Sequence, residues 1–106
     1  MKYLKPKESK SSFFFLFRKR GFIESLSVLM EQPNHEITQK GFFTALVAKD
    51  AYPNLFFRVK SSLLDNKIIA FKLDSNNEKV IYLTEKGLQI MGIIDEIDDL
   101  IKIEKN

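Results

Sequence analysis

The sequence predicts an α+β domain, mainly helical, and three observations carry that prediction. Apolar residues recur at helical spacing in successive stretches of the chain. Two runs rich in strand-favouring residues, Ile68–Leu73 and Val80–Leu83, flank the turn-forming Asp74-Ser75-Asn76-Asn77. A long amphipathic segment follows that ribbon at once, so helix, ribbon and helix succeed one another.

Length and charge bound the reading. At 106 residues the chain is one domain with extensions. There is no cysteine, which excludes a disulfide scaffold and a thiolate metal site. Phe13–Phe17 is too short for a secretory signal or a bilayer span, so a cytoplasmic, nucleoid-associated location and no membrane partner are expected. The net charge of +3 is unevenly spread. Residues 1–20 carry +6, residues 21–90 are neutral and residues 91–106 carry −3.

In order, Met1–Ser12 reads as a Lys-rich arm, either solvated or laid against phosphates. The apolar run Phe13–Phe17 fits a buried strand, a first helical turn or an oligomer contact, and is expected to be covered. Arg18, Lys19 and Arg20 are ordinary surface or phosphate contacts. Phe22, Ile23, Leu26, Leu29 and Met30 form the stripe of a first helix that Pro33-Asn34 ends. Asn34–Thr38 reads as a linker with a bridge to the ribbon. His35 is the only histidine, reads as a surface residue, and leaves a metal site without ligands.

Thr38 is suited to cap a second helix, Gln39–Lys49, with Phe42, Phe43, Leu46 and Val47 buried. Gly41 inside it costs about 1 kcal/mol relative to alanine and suits close packing. After the turn Asp50-Ala51-Tyr52, Pro53 fits the first position of a third helix. Its core stripe is Leu55, Phe56, Val59 and Leu63. Asn54, Phe57, Arg58 and Ser61 cluster on the opposite face, with Lys60 and Ser62 on its flanks. The bland account of this set is a polar outer face with one aromatic. The functional account is a major-groove surface: Arg donates twice to guanine, Asn pairs with adenine, Ser adapts, and Phe touches a thymine methyl. Lys72, Asn76, Asn77 and Lys79 on the ribbon, and Lys40 near the start of the second helix, extend that candidate DNA surface. Asp74 and Glu78 dilute the ribbon's charge.

Two segments carry a family resemblance. Leu63-Leu64-Asp65-Asn66-Lys67-Ile68-Ile69 resembles the end of the recognition helix in winged helix-turn-helix regulators of the MarR and PadR type. Tyr82-Leu83-Thr84-Glu85-Lys86-Gly87 is similar to the strand-to-helix signature after their wing. The resemblance spans about Gly21–Ile101. One departure is Lys67, where the family usually has glycine, so Asn66 or Lys67 must manage a left-handed turn. The resemblance implies a winged helix-turn-helix with a two- or three-stranded wing, sequence-specific binding of double-stranded DNA as a homodimer, and repression of transcription more often than activation.

On this reading residues 1–17 are a basic arm and Phe-rich segment, 18–88 the winged helix-turn-helix, and 84–106 a dimerisation helix. Independently, Ile90, Ile94, Ile97 and Ile101 are spaced as a coiled-coil seam, widened by Met91, Ile93 and Leu100. The same stripe also suits packing on the first helix. Asp95, Glu96, Asp98 and Asp99 form the opposite, solvated face. No phosphate-binding glycine loop, dinucleotide fingerprint or nucleophile motif is present, so neither an enzyme nor a cofactor is expected. The competing expectations are a winged-helix protein-interaction module and a non-specific architectural DNA binder.

Overall fold

The computed structural model describes residues 13–105. The basic arm Met1–Ser12 lies outside them. The described chain runs α1 (Phe13–Phe17), α2 (Phe22–Met30), β1 (Glu36–Thr38), α3 (Gln39–Ala48), α4 (Pro53–Asp65), β2 (Ile69–Leu73), β3 (Lys79–Leu83) and α5 (Glu85–Lys105). A 3₁₀ turn at Pro33–His35 separates α2 from β1.

Helices α2, α3 and α4 enclose the core. Phe22, Leu26 and Leu29 from α2, Phe42 and Leu46 from α3, and Leu55, Phe56, Val59 and Leu63 from α4 are all buried. The Phe42 and Phe56 rings meet edge-to-face at 4.8 Å. Two expectations need correction. Val47 is 53 % exposed, because α3 offers only Phe42 and Leu46 fully to the core. His35 is half-buried rather than a surface residue.

Thr38 caps α3 by accepting from the Gly41 N–H at 3.1 Å. A β-carbon on Gly41 would stand 3.0 Å from the Ile37 side chain, so the small residue serves contact with β1 and the cap. Helices α3 and α4 end alike. At α3, Asp50 is left-handed (φ 61°), and the Asp50 and Ala51 N–H groups donate to Val47 and Leu46 carbonyls. At α4, Lys67 takes that role (φ 60°), with Lys67 donating to Leu64 and Ile68 to Leu63. Both are Schellman closures with a non-glycine residue in the position that favours glycine.

The three strands form an antiparallel sheet in the order β1-β3-β2. Ile69 pairs with Leu83 and Phe71 with Ile81; Ile37 pairs with Ile81 from the other side. Side chains alternate along a strand, so Ile69, Phe71, Ile81 and Leu83 share the inner face, where Ile69, Ile81 and Leu83 are buried. Lys72 and Tyr82 share the outer one.

Thr84 joins sheet, α4 and α5. Its hydroxyl donates to the Lys67 carbonyl at 2.6 Å and accepts from the Gly87 N–H at 3.0 Å. Gly87 follows because a β-carbon there would lie 2.3 Å from the Ile68 carbonyl oxygen.

The short apolar run before α2 is helical. Leu16 is buried, while the Phe13 and Phe17 rings lean on Phe22 at 6.0 and 5.9 Å. Within the single chain Phe13, Phe15 and Phe17 remain 37–49 % exposed. The stripe of α5 divides. Met91 is buried, and Ile90 and Ile94 pack on the chain's own core. Beyond them Ile93, Ile97, Leu100 and Ile101 are at least half exposed. The first half of the predicted seam therefore faces its own domain.

Candidate nucleic-acid interface

Helix α4 presents its outer face to solvent because its inner face is fixed by four buried apolar residues on one side, Leu55, Phe56, Val59 and Leu63. Pro53 begins the helix and Tyr52 precedes it in extended conformation. Asn54, Phe57, Arg58 and Ser61 are exposed together on the outer face; Lys60 and Ser62 are half-buried at its edges. Phe57 is 54 % exposed, with one side of its ring against Phe43 and Phe56. Asp65 is exposed at the far end of the same helix.

The two cations of α4 have different neighbours. Arg58 borders an open depression of about 360 Å³ together with Lys19 and Arg20. Those residues come from the turn between α1 and α2, and Gly21 holds that turn against α4. Gly21 is left-handed (φ 102°), and a β-carbon on it would stand 2.2 Å from the Leu55 carbonyl oxygen. Its N–H donates to the Glu24 carboxylate at 2.9 Å. Arg18 is exposed in the same turn.

On the other flank, the Lys60 ammonium lies 5.5 Å from the centre of the Phe71 ring and 5.7 Å from that of Phe57. The Lys79 ammonium lies over Phe71 as well, at 4.5 Å. Phe71 thus seats two cations between α4 and the sheet. Lys79 also borders a second depression, of about 240 Å³, with Lys40, Thr38, Gln39 and Glu78.

Charge pairing separates this side from the rest. Lys19, Arg20, Lys40, Arg58, Lys60 and Lys79 have no carboxylate within ion-pair distance among the described residues. Lys72, in contrast, points to the outer sheet face. It donates to Glu36 at 2.8 Å and lies over the Tyr82 ring at 5.3 Å. That hydrogen bond raises its pKa above the usual lysine value. The structure therefore separates Lys72 from Lys79, although both belong to the ribbon. Asn76 and Asn77 are exposed at the ribbon's tip, where the Asp74 carboxylate accepts from the Asn76 and Glu78 N–H groups at 2.8 and 2.9 Å. The tip carries Asp74 and Glu78 and no cation.

Two features of this surface were not foreseen: Phe71 as the seat of two lysines, and Gly21 as the joint between the basic turn and α4. The first had a signal in strand alternation, which sets Phe71 and Lys72 on opposite faces. The second had none beyond a glycine before a helix. Among the described residues no group of acidic and histidine side chains is arranged to hold a metal, and no helix is long and apolar enough to cross a membrane.

Three helices followed by a β-ribbon, with β1 completing a three-stranded sheet, define a winged-helix fold. A solved structure of F93 from STIV, described as a winged-helix DNA-binding protein, shares that fold with a TM-score of 0.62. The match covers 76 % of this chain and 88 % of that one, at 23 % identity. No family model matches the chain, and a search of curated proteins finds no match.

Proposed function

We propose that this chain binds double-stranded DNA sequence-specifically through α4, as a homodimeric transcription regulator of the MarR and PadR type, with repression favoured over activation. The observation that carries the reading is the gathering of unpaired cations on both flanks of an exposed helix face, while Lys72 on the far side is neutralised by Glu36. A winged-helix neighbour described as DNA-binding supports it. In such a complex α4 lies in the major groove. Arg58, Lys19, Arg20, Lys60, Lys79 and Lys40 meet phosphates, and the face between the flanks meets base edges.

The dimer is supported by an apolar groove of about 360 Å³ lined by Phe13, Ile90, Ile93, Ile94 and Ile97. Exposed Leu100 and Ile101 extend it along α5. A second copy burying this stripe would remove a large apolar patch from water.

The half-exposed Phe57 favours a second reading, a protein-interaction module. Titration with random-sequence duplex DNA at two salt concentrations separates the two. A DNA binder loses affinity steeply as salt rises, whereas a protein adaptor scarcely binds at either concentration.

A further inference from the structure

We infer that the ribbon meets duplex DNA through its side facing α4, where Phe71 positions Lys60 and Lys79 as a pair against the phosphate backbone, and that the ribbon's tip stays off the duplex. This rests on the DNA-binding reading above and deepens it. Lys79 stands opposite Leu73 in the last strand pair before the tip, yet its ammonium lies back over the Phe71 ring, 4.5 Å from the centre. The Lys60 ammonium comes to the same ring from α4, at 5.5 Å, and is 5.7 Å from the Phe57 ring. One ring thus gathers two like charges from separate elements. Neither has a carboxylate within ion-pair distance among the described residues. Two cations held close without a counter-ion repel each other, and an anion from outside relieves that repulsion. Because the ring already orders both lysines, less side-chain freedom is lost when they close on phosphates. Phe71 is therefore a positioning residue that acts through the two lysines.

The tip has the opposite character. From Asp74 to Glu78 it carries two carboxylates and no cation. The Asn76 and Glu78 N–H groups hold the Asp74 carboxylate there, and the Asp74 N–H donates to the Glu78 carbonyl at 2.9 Å. Leu73 beside it is 64 % exposed and makes no bond to a phosphate. The duplex backbone is negative and a narrow minor groove concentrates negative potential, so both repel this tip.

The test is the salt dependence with which the full chain binds a random-sequence duplex. Lys60→Gln with Lys79→Gln should lower the slope of log affinity against log salt by about 1.8, the share of two phosphate contacts. Phe71→Leu keeps an apolar side chain in place and should weaken binding by roughly 2- to 10-fold. Phe71→Tyr keeps the ring and should bind as the wild type does. In the background of both lysine substitutions, Phe71→Leu should cost nothing further. Asn76→Ala with Asn77→Gly should leave affinity and slope unchanged. An equal loss from Phe71→Leu in the lysine-substituted background overturns the inference, because the ring would then act through the fold alone. A lower affinity or slope in the tip variant also overturns it. So does an unchanged slope in the double lysine variant where Arg58→Gln lowers it, since the duplex would then lie on α4 without the ribbon. If the wild type binds no duplex at any salt concentration, the DNA-binding reading itself fails.

Discussion

The α-carbon of Gly21 sits so close to the Leu55 carbonyl that a β-carbon would stand 2.2 Å from its oxygen. This contact ties the turn bearing Lys19 and Arg20 to the first turns of α4. Gly21→Ala therefore meets two penalties, a left-handed backbone at about 1–3 kcal/mol and overpacking at about 1–3 kcal/mol. Urea unfolding should show a loss of roughly 2–6 kcal/mol. A loss below about 1 kcal/mol would show that the turn shifts freely.

Lys67 closes α4 in a left-handed conformation that glycine adopts without strain. The strain costs a lysine about 1–2 kcal/mol, and glycine's extra freedom in the unfolded chain returns part of that. Lys67→Gly should raise stability by about 0.5–1 kcal/mol. The Ile68 N–H to Leu63 carbonyl bond of 2.9 Å is backbone to backbone and involves no atom of the Lys67 side chain. A lower midpoint in urea would contradict this account of the helix end.

Lys72 and Lys79 provide an internal control for the proposed interface. Lys79 is unpaired on the α4 side, while Lys72 is bound to Glu36 on the other. Lys79→Gln should lower the slope of log affinity against log salt by about 0.9, the share of one phosphate contact. Lys72→Gln should leave the slope unchanged. Equal effects would place duplex DNA on both faces of the ribbon.

The exposed part of the α5 stripe offers a test of association. Ile97 and Ile101 are half exposed in the single chain, so an aspartate at either site disturbs little of its own core. Ile97→Asp with Ile101→Asp should sediment as one copy where the wild type sediments as two. The wild-type melting temperature should rise with protein concentration, and that of the variant should not. Met91→Asp should unfold the chain instead, because Met91 is only 5 % exposed.

The Lys72–Glu36 bond has a defined pH signature. Folding raises the Lys72 pKa through its hydrogen bond to Glu36, so the folded chain holds that proton more tightly than the unfolded one. The pair's contribution is present below the ordinary lysine value and is lost as pH rises through the raised value. Wild type should exceed Glu36→Gln in stability by a small, salt-sensitive margin at neutral pH. The two should converge at pH above the raised Lys72 value. A margin that persists there would assign the difference to packing.

Much of the architecture follows from the residues alone. The spacing of Leu55, Phe56, Val59 and Leu63 defines the buried side of α4, and Pro53 its start. Thr38 and Thr84 mark the starts of the helices that they cap. The outward position of Asn54, Phe57, Arg58 and Ser61 follows from the same periodicity. Each is a local property, decided within a turn or two of the chain.

Contacts between distant segments are different. The side of the sheet that Lys72 and Lys79 join depends on the register of β1, β2 and β3, through which Glu36 meets Lys72. The partition of the α5 stripe into a buried and an exposed half depends on where the core ends, because a helix of 21 residues outruns the domain beneath it. The seating of Arg58 beside Lys19 depends on a glycine backbone reaching a carbonyl 34 residues further on. Periodicity assigns a side chain to a face; only the packed tertiary structure decides what that face meets, since partners far apart in sequence are brought together by the burial of apolar surface as a whole.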